Sequence, residues 1–393
     1  MILCGITLSL PSCTSFYLGR VICWGSPTNH DYQRFPTRSI AAAPEAFRFT
    51  RDPDAERRFL RELTPLHYSY KGKTMTADLE TLLQETGTTA FIIIRDDYIL
   101  FERYFGGYRR DSLNTSASLA KSFTATLVGV AVAEGLIFSI EDPILRYLPE
   151  LEGRDVEGIT IRQLLTMSSG LKHTWGMTPW HDVVRSYYSP DVRKMVLRVR
   201  VIEPPDRHYN YNNCHTQLLG IILERVTGMS ASAYLESRIW IPLGMEYPAS
   251  WCLDSDAGGF ELMMSGLNAR AIDFAKLGRL YLNRGSWQGR QILPPRWVGR
   301  CTSPVEATAN IEDFYAGQEG AFAEFFDSEG YYSHHWWGYR KKPGRDDFFA
   351  LGFLGQFIYV CPESQTIIIR MSERWGKIDW WPAVFRELAG SLR

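Results

Sequence analysis

Residues 119–133, LAKSFTATLVGVAVA, are apolar almost all the way round a helical projection. A surface helix carries a polar face, and a helix without one is buried on every side. Such a segment must be wrapped by other elements, so the fold has to be layered around it. Polar Asn114, Thr115 and Ser116 precede it and supply candidate N-caps, and Glu134-Gly135 gives a C-terminal stop. Its one charge is Lys121, three residues after Ser118.

The surrounding pattern supplies the wrapping. Residues 88–94 (TTAFIII) and 98–104 (YILFERY) are β-rich runs separated by Arg95-Asp96-Asp97, a gap short enough to be the turn of an antiparallel hairpin. A second hairpin is expected from residues 356–360 and 366–371 around Pro362-Glu363-Ser364-Gln365. Between them, residues 161–167, 217–226 and 269–282 repeat apolar positions at helical spacing, and a last helix spans about 382–392. Hairpin, buried helix, helical insertion, hairpin, helix is the order of one sheet built from both chain ends. A cleft between sheet and insertion would hold the ligand.

Composition removes other classes. With 43 Lys+Arg against 44 Asp+Glu in 393 residues, the net charge of −1 gives no field for gripping nucleic acid. The seven cysteines form no C-x-x-C pair, and Cys214, Cys252, Cys301 and Cys361 are spaced as isolated buried thiols. No metal site and no cofactor is therefore expected. Residues 1–18 carry no charge and resemble a bacterial signal segment. Leu10-Pro11-Ser12-Cys13 is similar to a lipoprotein cleavage box, which would make Cys13 a lipidated membrane attachment in the cell envelope or periplasm. A cytoplasmic protein with a hydrophobic arm is the alternative.

Ser118-Leu119-Ala120-Lys121 carries the chemistry. A serine hydroxyl attacks carbon only when a base takes its proton. Lysine one turn later shares the helix face, and burial lowers its pKa so that a neutral amine is available. The helix N-terminus adds free N–H groups where an oxyanion would form. Ser169-Gly170-Leu171-Lys172 repeats the spacing, but the surrounding residues describe a loop at a helix end, and this copy is taken as accidental.

An S-x-x-K motif opening a buried helix resembles the serine β-lactamases, penicillin-binding proteins and their esterase and amidase relatives. Tyr209-Asn210-Tyr211-Asn212-Asn213 followed by QLLGIILERVTG is similar to the second motif of that family, which places Tyr211 and Asn213 in its Tyr-x-Asn. Further similar stretches are residues 141–150, 164–171 and 268–282, so the resemblance covers about residues 80–390. It implies an α+β, β-lactamase/transpeptidase-like fold: an antiparallel sheet flanked by helices, with an inserted all-helical lobe. Residues 1–24 would be the signal segment or hydrophobic arm, 25–75 an extended arm, and 76–393 the hydrolase domain. That domain divides into an α/β part, about 76–140 and 260–393, and a lobe, about 141–259.

The third family motif departs. Ala350-Leu351-Gly352-Phe353 stands where the penicillin-recognising enzymes carry a cation, and the stretch resembles 6-aminohexanoate-dimer hydrolases and family VIII carboxylesterases. Gly352 would let a ligand approach the strand, and the Phe353 N–H would join that of Ser118 as an oxyanion donor. Tyr211 would relay protons in both directions if the charge of Lys121 lowers its pKa. Asn213 would hydrogen-bond substrate or Lys121.

The expected activity is hydrolysis of a linear amide or carboxylic ester, a small-molecule substrate, through an acyl-enzyme on Ser118. A β-lactamase or D,D-peptidase, and a non-catalytic peptide-binding envelope domain, are the rivals. Other residues are given structural readings. His334-His335 followed by Trp336-Trp337 is read as an edge strand rather than a metal or ligand platform, the His173, His181, His208 and His215 group as having no carboxylate at zinc spacing, and Glu312, Asp313, Glu319 and Glu324 as a surface loop. Trp175, Trp180, Tyr187 and Tyr188 either wall the cleft or pack the lobe.

Overall fold

Isoleucines and aromatics dominate both expected hairpins, and the two hairpins meet at the centre of an eight-stranded sheet. The computed structural model describes residues 16–62, 65–304, 325, 329–341 and 345–391. Cys4, Cys13 and the acidic residues at 312, 313, 319 and 324 lie outside these. In chain order the strands are β1 (Thr50–Arg51), β2 (Thr88–Arg95), β3 (Tyr98–Tyr104), β4 (Gly330–Ser333), β5 (Trp336–Tyr339), β6 (Asp347–Gly352), β7 (Gln356–Cys361) and β8 (Thr366–Ser372). They lie in the order β4-β5-β6-β7-β8-β2-β3-β1. Neighbours are antiparallel except β1, which runs parallel to β3. The β8–β2 seam joins the two ends of the chain, with Ile369 opposite Ile92.

The β2–β3 turn is the two-residue kind that matches strand twist: Asp96 and Asp97 have φ of 49° and 65°. Asp97 is also gripped by the Arg279 guanidinium through two contacts of 2.6 Å. Side chains alternate across the sheet. Ile92, Ile94, Ile358, Val360, Ile367 and Ile369 enter one core, and Phe91, Ile93, Phe357, Tyr359 and Ile368 enter the other. Because both faces are covered, the strands read as unbroken apolar runs.

The principal helices are α1 (Leu79–Glu85), α2 (Ala120–Ala133), α3 (Asn213–Thr227), α4 (Ala271–Leu282) and α5 (Trp381–Ser391). Helix α4 lies across β8, β7 and β2, while α1 and α5 cover the opposite face. Gly278 permits the close approach of α4, since a Cβ there would stand 2.9 Å from Ile367 and 3.0 Å from Ile358. Helix α2 is buried from Ala120 through Ala131 and packs against α3, as an all-round apolar helix must. Its N-cap is Leu119, without a side-chain cap; Asn114 and Thr115 instead pair with Leu267–Ala269 in a second sheet. The expected polar cap is absent because a 3-10 turn, Ala117–Leu119, runs directly into the helix.

That second sheet has the order Thr37–Ile40, Ala249–Cys252, Leu267–Ala269, Asn114–Thr115. It adds strand structure to a lobe expected to be helical. It also draws part of the supposed extended arm into regular pairing, as does β1. Weak periodicity hid these strands, because their partners come from distant chain. His334 and His335 form a two-residue turn between β4 and β5, with φ of 44° and 63°, rather than an edge strand. The turn is buried: the Ser122 hydroxyl donates to the His335 carbonyl at 2.7 Å, and the Thr216 hydroxyl lies 3.2 Å from its ring. Cys214, Cys252, Cys301 and Cys361 are free and buried, and Cys23 is exposed. Among the described residues no helix is long and apolar enough to cross a membrane.

Candidate active site

The turn Ala117–Leu119 presents Ser118 at the head of α2. Ala117 has φ 43°, a left-handed backbone that alanine rarely adopts and that the surrounding packing must hold in place. Ser118 stays partly exposed, whereas Lys121, one turn on, is 1% exposed. The Lys121 Nζ lies 3.0 Å from Ser118 Oγ and 3.0 Å from the Met264 carbonyl oxygen. Burial pushes the lysine down to about 7. A carbonyl oxygen only accepts, so one N–H of the neutral amine goes to Met264. The lone pair is then free to accept the Ser118 hydroxyl proton.

Tyr211 stands on the stretch leading into α3, 8% exposed, with Lys121 Nζ 4.8 Å from its ring centroid. Its phenol pKa is raised by burial, opposed by a hydrogen bond with Ser118. This overturns the expectation of a lysine-lowered phenol. The amine faces the ring, and desolvation of the phenolate dominates the shift. A phenol raised in this way keeps its proton at neutral pH.

Asn213 opens α3 beside the site. Its amide nitrogen donates to Ser186 Oγ at 3.1 Å rather than reaching Lys121. Asn212, beside it, caps α3 by accepting from Cys214 N at 2.8 Å.

On the other side of Ser118, β6 ends at Gly352. A Cβ at Gly352 would lie 2.3 Å from the Ser116 carbonyl oxygen and 3.2 Å from Ala117 Cβ. The glycine therefore admits the close approach of the turn that carries the nucleophile. Phe353 follows, 51% exposed. Neither the Ser118 N–H nor the Phe353 N–H meets an acceptor among the described residues. Free backbone donors of this kind are suited to a carbonyl oxygen that gains charge. Ala350 is buried on the face of β6 that looks toward α2, where it offers no cation.

Aromatic rings surround Tyr211. Trp175 donates through Nε1 to the Tyr211 carbonyl at 2.9 Å and lies 5.7 Å from its ring, with Trp337 at 5.7 Å and Tyr332 at 5.9 Å. Sequence reasoning set Trp337 aside as strand and missed Tyr332, whose only signal was the aromatic density around residues 331–339. Trp180 is exposed, and Tyr187 and Tyr188 hold the N-terminal segment by hydrogen bonds to Asp31 and Gly25.

The other candidates separate. Ser169 is buried in a loop with His215 Nε2 2.6 Å from its hydroxyl, while Lys172 is exposed, so the second S-x-x-K brings no pair together. His208 meets Glu203 and His181 meets Thr178. Among the described residues no cluster of His, Cys, Asp or Glu could hold a metal.

Residues 76–382 match the Beta-lactamase family. The 6-aminohexanoate-dimer hydrolase of Paenarthrobacter ureafaciens is 26% identical over 368 residues, 88% of each chain. The esterase EstB of Burkholderia gladioli is 26% identical over 214 residues, 47% of this chain and 53% of that one. A solved structure from Bacillus anthracis, provisionally named a 6-aminohexanoate-dimer hydrolase, superposes with a TM-score of 0.73 at 25% identity, covering 92% of this chain and 91% of that one. The chain belongs to the beta-lactamase family, as a hydrolase of the serine type.

Proposed function

We propose that this protein cleaves a linear amide or carboxylic ester through an acyl-enzyme on Ser118. The observation that carries the reading is an almost wholly buried lysine, poised near neutrality, 3.0 Å from a partly exposed serine hydroxyl. The amine of Lys121 takes the serine proton as Oγ bonds to the carbonyl carbon. The oxygen that gains charge meets the N–H groups of Ser118 and Phe353. Tyr211 gives its proton to the leaving nitrogen or oxygen as that bond breaks, and the lysine proton restores the phenol. A water molecule then repeats the sequence on the ester and releases the acid.

The missing cation at Ala350 speaks against a substrate read by its carboxylate, and the names of two relatives point the same way, toward amides and esters. The test is a panel of p-nitrophenyl esters, linear amides and nitrocefin, with intact-mass detection of the acyl adduct. An adduct on Ser118 from ester or amide is expected. Rapid nitrocefin turnover with no ester hydrolysis would replace the reading with a β-lactamase.

Tyr211→Phe separates the roles of the two proton carriers. A p-nitrophenolate leaves without a proton, whereas an amine does not. The variant is expected to lose about 10²-fold or more on an amide and much less on the p-nitrophenyl ester. Equal losses on both would assign the phenol to the attack step instead.

A further inference from the structure

The turn between β6 and β7, Gly352-Phe353-Leu354-Gly355, is held at every carbonyl. Gly355 N donates to Gly352 O at 3.1 Å, Gln356 Nε2 to Phe353 O at 3.1 Å, and Ser372 Oγ to Leu354 O at 2.6 Å. Arg370 Nη1 donates to Gly355 O and to Ser372 Oγ, each at 2.8 Å. Gln356 is itself fixed, since Nε2 donates to Ser372 O at 2.7 Å and Oε1 accepts from Ser372 N at 3.0 Å.

Arg370 is fully buried on β8. Among the described residues it has no carboxylate partner. Its guanidinium also donates to Thr88 Oγ1 and to the carbonyls of Thr86, Arg374 and Trp375, and it stacks 3.9 Å from the Trp381 ring. Burying a charge without a counter-charge is costly, and hydrogen bonds to fixed carbonyl dipoles must offset it. Gly355 is shaped to the arrangement: it has φ 89°, and a Cβ there would stand 2.2 Å from Arg370 Nη1.

The geometry points to Arg370, Ser372 and Gln356 as positioning residues that aim the Phe353 N–H at the reacting carbonyl oxygen. Peptide planarity fixes the direction of that N–H. In a trans peptide the C=O of Gly352 and the N–H of Phe353 point in opposite directions. The Gly352 oxygen is turned into the loop by Gly355 N, so the Phe353 hydrogen is turned out of it, and there it meets no acceptor among the described residues. A four-residue turn with two left-handed positions, Leu354 at 68° and Gly355 at 89°, has alternative peptide orientations close by. The clamp on the next three carbonyls removes them.

This inference rests on the proposed acyl-transfer reading, and the experiment separates the two. Ser372→Ala removes the hydroxyl that links Arg370 to the Leu354 carbonyl yet leaves the guanidinium in place. Arg370→Met is the larger lesion but risks the fold, so Ser372→Ala and Gln356→Leu are the primary variants. For each, kcat and KM on p-nitrophenyl butyrate are measured beside the affinity of an alkyl boronic acid, which forms a tetrahedral adduct with an active serine. A loss of about 10- to 100-fold in kcat, matched by the same loss in boronate affinity with KM within about twofold, is expected. Unchanged kcat and boronate affinity in both variants would overturn the clamp. So would a lowered Tm with no kinetic change, which marks a structural role alone. Failure of the underlying reading looks different: the parent protein itself would neither hydrolyse the ester nor bind the boronate.

Discussion

Exchange of Ser118 for alanine is expected to lower kcat on p-nitrophenyl butyrate by about 10⁴-fold or more while leaving Tm nearly unchanged. The hydroxyl lies at a partly exposed helix head, so its loss opens no cavity in the core, and Lys121 keeps its contact with the Met264 carbonyl. The Ser118 N–H survives the exchange, as does that of Phe353. Slow hydrolysis by water in the same pocket therefore remains as a floor. The variant should also fail to react with a fluorophosphonate that labels the parent at Ser118. Turnover within tenfold of the parent would mean that the nucleophile lies elsewhere.

Lys121→Met keeps the length of the side chain and removes the base. A loss of about 10³-fold in kcat/KM is expected. The pH profile gives the sharper readout. Lys121 titrates near 7, and only its neutral form can take the serine proton. In the parent, kcat/KM should be low in acid, rise as pH passes through about 7 and then level off. The phenol of Tyr211 is raised by burial and keeps its proton across that range, so no falling limb is expected at moderately alkaline pH. In Lys121→Met the rising limb should vanish, and the variant should be no less stable, since a buried polar nitrogen is replaced by a thioether. A parent profile flat from pH 5 to 9 would remove the lysine as the base.

Features that depend on neighbouring residues were legible in the chain. The Asp96-Asp97 turn, the buried α2 helix and the Ser118–Lys121 spacing each need only a few residues to be read. Features set by distant partners were not. His334 and His335 lie between aromatic runs that alternate like strand, and their burial against Ser122 and Thr216 goes with a turn that no local signal marks. The direction of Asn213 depends on Ser186, which is 27 positions away. Motif spacing cannot show how deeply the phenol of Tyr211 is buried, and burial sets the direction of its shift. Arg370 attracted no notice in a strand of isoleucines, since the carbonyls that receive it come from three separate segments.

The β8–β2 seam carries a consequence for how the chain is made. β2 leaves the ribosome early, but its neighbour on one side, β8, is translated some 270 positions later, as the pairing of Arg95 with Thr366 records. At about 5–20 residues per second the first hairpin waits many seconds with one long apolar edge unpaired. That edge is a template for pairing with other chains until the last strands arrive. Biogenesis, more than the finished molecule's stability, is where this topology is exposed: premature termination anywhere before residue 366 leaves an aggregation-prone stub rather than a smaller enzyme.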